Sequence, residues 1–104
     1  MRWLDGVADA DLQLTQCIES EQIRFTGLFD TLLAESELPV LIVLNQLKRS
    51  RYVERNNYVK GNGEIPCFCF VAGEAEDCVG LTFFVSFGQE HDGKIMMWMQ
   101  EFHP

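Results

Sequence analysis

Ile65-Pro66-Cys67-Phe68-Cys69-Phe70-Val71-Ala72 is an apolar run of strand length, and Cys78-Val79-Gly80-Leu81-Thr82-Phe83-Phe84-Val85-Ser86-Phe87 is a second. Between them stands Gly73-Glu74-Ala75-Glu76-Asp77, a short stretch of turn chemistry. Two such runs on so short a link predict an antiparallel hairpin. Its register can be tried on paper. Val71 is set against Val79, Cys69 against Leu81, Cys67 against Phe83 and Ile65 against Val85. Directly opposed residues share a face, so this pairing gathers an entirely apolar face, which is predicted to be the core. A slip of one residue would mix the faces.

The pattern extends in both directions. Gly88-Gln89-Glu90-His91-Asp92-Gly93 reads as a turn into a strand over 94–102, and Lys60-Gly61-Asn62-Gly63-Glu64 as a turn out of a strand over 52–59. With 65–72 and 78–87 these make a four-stranded antiparallel meander. Val85 is then expected beside Met97, and Phe83 beside Met99. The opposite face would carry Phe68, Phe70, Thr82, Phe84, Met96, Trp98, Gln100 and Phe102, with Phe70 lying across from Gly80. That face is too aromatic for ordinary wetting. It is expected either to be covered, in part by Met1 to Val7 with Trp3 and Leu4, or to be a docking surface.

Upstream the period changes. Leu14, Cys17, Ile18, Phe25, Leu28, Phe29, Leu32 and Leu33 recur at helical steps over residues 9–35. Asp9 or Asp11 can cap the start, and Gly27 divides or bends the run. Ser36-Glu37-Leu38-Pro39 is a break. Val40 to Leu47 continues apolar and is read as a helix ending near Ser50, although Val40, Ile42 and Val43 are β-branched. The expected fold is a single α+β domain over residues 1–104, with N-terminal helices packed on one face of the meander.

Charge is segregated. Residues 1–37 sum to -6, residues 38–60 to +4 and residues 61–104 to -6, giving the net -8. Acidic blocks repel phosphates, so nucleic acid is not expected as a partner. The basic block of Lys48, Arg49, Arg51, Arg55 and Lys60 is read as helix-end or pairing charge. No apolar run approaches bilayer length, and Met1 to Gly6 lacks a signal-peptide core. A cytoplasmic chain without membrane contact is therefore expected.

Catalytic and metal motifs do not assemble. Cys67-x-Cys69 with Cys78, His91 and His103 lacks zinc-ligand spacing, and no metal or cofactor is expected. The cysteines sit among apolar neighbours, which suits inert packing thiols rather than nucleophiles or disulfides. Gly61-Asn62-Gly63 is a turn without the strand–loop–helix context of a phosphate cradle.

What remains is binding without turnover. An acidic, motif-free domain with an aromatic face fits a stoichiometric inhibitor of a basic protein. Concretely, that is an immunity protein that blocks the active site of a basic nuclease toxin. The expected contacts are Glu74, Glu76 and Asp77 in one turn, Glu90 and Asp92 in another, and Phe84 and Trp98 as aromatic anchors. The helix-start acids Asp5, Asp9 and Asp11 form a third acidic group. The alternatives are a small acidic secretion chaperone, dimeric and holding an unfolded client on apolar grooves, and a small enzyme with an unrecognised site. Self-association separates the chaperone from the inhibitor.

Overall fold

A computed structural model describes residues 1–60, 63–75 and 78–104. The chain runs β1 (Arg2–Trp3), α1 (Ala10–Glu19), β2 (Ile23–Phe25), α2 (Gly27–Ser36), α3 (Val40–Arg49), β3 (Arg51–Lys60) and β4 (Gly63–Val71). It continues through β5 (Glu74–Ala75), β6 (Cys78–Val79), β7 (Thr82–Gln89) and β8 (Ile95–His103). The α+β class holds, with three helices and a six-stranded, mostly antiparallel sheet.

The four long strands lie side by side in the order β8-β7-β4-β3, and two short ones enlarge the expected meander. β2 adds to β8 in parallel, and β1 pairs antiparallel with the far end of β7. The small β5–β6 ribbon sits in the link between β4 and β7.

The expected register of the central hairpin is corrected. Phe68 faces Val85, Cys69 faces Phe84, Phe70 faces Phe83 and Val71 faces Thr82. This is three residues from the paper pairing, an odd number, so β4 turns over. Phe68 and Phe70 go to the core with Phe83, while Cys67 and Cys69 go to the other face. Both faces of β4 are apolar, so alternation alone could not choose between them. Burying two phenylalanine rings in place of two thiols removes far more apolar surface from water. The longer link, with β5 and β6 in it, supplies the slack.

Between β7 and β8 the expected pairs, Val85 with Met97 and Phe83 with Met99, are also corrected: Val85 faces Met99 and Phe87 faces Met97, a slip of two residues that, being even, keeps the expected faces at first. Phe84 then faces Glu101, which leaves Gln100 as an extra residue in β8. This bulge reverses the alternation, and Phe102 enters the core opposite Phe83 rather than lying with Trp98. Thr26 holds the bulge. Its hydroxyl lies 3.1 Å from both the Met99 and Gln100 carbonyls, and its oxygen accepts from Phe29 N–H to cap α2.

The helices all pack on one side. Leu14 and Cys17 of α1, Phe29 of α2, and Val43 and Leu47 of α3 join Phe68, Phe70, Phe83, Val85 and Met99 in one core. The N-terminal acids are used locally. Asp9 accepts from Leu12 N–H at 3.0 Å to cap α1, and Asp11 accepts from Tyr52 N–H at 2.9 Å on β3. Arg55 donates from Nε to the Asp5 carbonyl and from its terminal nitrogen to the Asp5 carboxylate at 3.0 Å. Part of the basic block thus ties β3 to the N-terminal segment. Among the described residues no helix is long and apolar enough to cross a membrane.

Candidate functional site

Turning β4 over leaves the sheet with a face that none of the buried helix residues in the core touches. Its middle is small and tightly closed. Cys67 Sγ lies 3.2 Å from Ser86 Oγ, and Gln100 Nε2 donates to the same oxygen at 3.3 Å. All three side chains are buried. Burial pushes the Cys67 and Cys69 thiols above the ordinary thiol pKa, and acids raise them further, Glu101 acting on Cys67 and Glu54 on Cys69. Un-ionised thiols of this kind are poor nucleophiles.

Around this centre stand the larger groups. Trp98 meets Trp3 edge to face at 5.9 Å, so Trp3 covers part of the face as the sequence suggested, whereas Leu4 and Val7 pack against the helix-side core instead. Phe84 stacks on His103 at 5.3 Å. Gly88 lets the N-terminus come close. A Cβ there would fall 2.6 Å from Met1 Sδ and 3.4 Å from Trp98 Nε1. Trp98 Nε1 and Gln100 Oε1 are buried and find no partner among the described residues. Glu54 lies across from Cys69 and Glu101 across from Phe84, so both carboxylates belong to this face.

Phe84 and Trp98 therefore share one face, Trp98 opposite Ser86 and Phe84 opposite Glu101, and Thr82 and Met96 lie on the same side as expected. The turn acids are not brought together. Glu90 and Asp92 occupy the turn between β7 and β8, at the far end of β7 from Glu74 in β5. Asp92 shapes that turn by accepting from Lys94 N–H at 3.0 Å, and Glu90 lies near Arg2 and Met1. Glu76 and Asp77 lie outside the described residues. Glu54 and Glu101 were missed. Their signal was present, since each is an acid at a strand position opposite an apolar one, but reading it required the correct register.

Among the described residues no three of His, Cys, Asp and Glu gather as metal ligands. Comparison with protein-family models, curated proteins and solved structures finds no match.

Proposed function

We propose that the chain is a stoichiometric acidic protein inhibitor, working without turnover. Its most concrete form is an immunity protein that binds a basic nuclease toxin and blocks its active site. The observation that carries this reading is the pairing of Trp98 and Phe84 with the carboxylates of Glu54 and Glu101 on one helix-free sheet face. Aromatic anchors flanked by acids suit a basic cleft, where rings displace water and carboxylates meet cations shaped for phosphate. The net charge of -8 would speed the encounter. Glu74, Glu76, Asp77, Glu90 and Asp92 then act in steering.

The test begins by isolating the partner on the immobilised chain and assaying it for nuclease activity. The expected result is loss of that activity at one-to-one stoichiometry, with Trp98→Ala and the pair Glu54→Lys, Glu101→Lys each weakening inhibition. A partner without nuclease activity, or inhibition indifferent to both changes, would remove the reading. A chaperone is the second reading, favoured by the outward apolar side of α3, where Leu41 is 71% exposed. It requires a dimer on a sizing column and clients that are unfolded.

A further inference from the structure

The sheet has a second available feature, the outer edge of β2. Met97 N–H donates to the Gln22 carbonyl at 2.8 Å, and Thr26 N–H donates to the Met99 carbonyl at 3.2 Å. A parallel ladder with these rungs uses Gln22, Arg24 and Thr26, so the N–H and C=O groups of Ile23 and Phe25 point away from β8. β2 ends the strand order, and among the described residues nothing bonds to those four groups. They lie beside a groove lined by Ile18, Glu21, Ile23 and Phe25 on one side and by Leu41, Leu44, Asn45 and Lys48 of α3 on the other, where the carboxylate of Glu21 and the ammonium of Lys48 offset each other in formal charge and leave Arg24 as the unbalanced cation beside the edge. Leu41 and Phe25 are both exposed there.

We infer that this groove takes an extended segment of a partner protein as an added strand beside β2. Arg24 stands beside Trp98 at the border of the aromatic face, while the free backbone groups and the groove lie at the outer edge of β2. A strand pairing with Ile23 and Phe25 would point two side chains, two residues apart, toward Leu41 and Leu44. The side chain between them would emerge on the opposite face, level with the exposed Arg24. The matching sequence is apolar, acidic, apolar. A second copy of this chain is disfavoured as the occupant. Pairing β2 with itself about a two-fold axis centred on Arg24 sets Arg24 against Arg24, and like charges directly opposed destabilise a strand pair.

The probe is a capped Thr-Val-Asp-Val-Thr peptide added to the isotope-labelled full chain, with amide exchange followed residue by residue. Slowed exchange at Ile23 and Phe25 is expected. Replacing the central Asp by Lys should weaken binding by about fivefold, and Arg24→Glu should reverse that preference. Leu41→Asp, an exposed change that leaves the core alone, should weaken binding by about tenfold. The inference is overturned if no peptide slows these amides at about 1 mM. Shifts confined to the Trp98 face would also overturn it, as would a self-associated free chain whose Ile23 and Phe25 amides are already protected.

Discussion

Thr26 joins two elements through one oxygen, capping α2 at Phe29 N–H while holding the bulge carbonyls of Met99 and Gln100. Thr26→Val keeps the shape and removes every one of these bonds. A loss of about 1–3 kcal/mol is expected, read from the urea midpoint at constant slope. The buried thiols give a pH dependence of definite sign. Burial raises the pKa of Cys17, Cys67 and Cys69, so the folded chain keeps protons that the unfolded chain releases. The stability they contribute is complete below the unfolded thiol pKa of about 8.5 and is lost as pH climbs through the folded values. Denaturant midpoints should therefore fall on the alkaline side. The loss should be smaller in a Cys17→Ala, Cys67→Ala variant, measured against its own midpoint at pH 7.

At the level of elements, the register of β4 makes a sharp prediction. Phe70→Ala should cost about 3–5 kcal/mol, since the ring is fully buried beneath the helices. Cys69→Ala removes one sulfur from the other face and should cost about 1 kcal/mol or less. The paper register predicts the reverse order, so one pair of unfolding curves decides between them. The strands themselves were legible because turn residues separate apolar runs of the right length. Helix α3 was legible too, through the continuity of Val40, Leu44 and Leu47. What could not be read was parity, because both faces of Ile65 to Val71 are apolar, and a bulge such as that at Gln100 has no local signature. β2 was hidden for a different reason. Ile18, Phe25 and Phe29 keep helical spacing straight through it, and the break depends on Glu21 adopting φ 57, which its residue type does not announce. The same loss of parity concealed Glu54 and Glu101, while Phe84 and Trp98 were found because their strands kept the expected faces.

For the molecule as a whole, the charge pattern divides into two uses. Asp5, Asp9 and Asp11 are engaged with Arg55, α1 and β3, and their replacement should affect stability before binding. Glu54, Glu101, Glu90 and Asp92 are the set to neutralise in a binding experiment. Reversing Glu54 and Glu101 together should lower the association rate for a basic partner, and added salt should shrink the difference between variant and parent. Indifference of both rates to these charges would end the electrostatic part of the proposal. The placement of β8 carries one more consequence. It lies between β7 and β2, and its bulge is the anchor for α2. On a ribosome the helices emerge long before β8 does. For several seconds at ordinary elongation rates, Leu14, Phe29 and Val43 have no finished sheet to pack on. The nascent chain should then bind general folding factors through these helices and release them only once Met99 has cleared the exit tunnel. Stalled chains ending before Ile95 should remain protease-sensitive throughout.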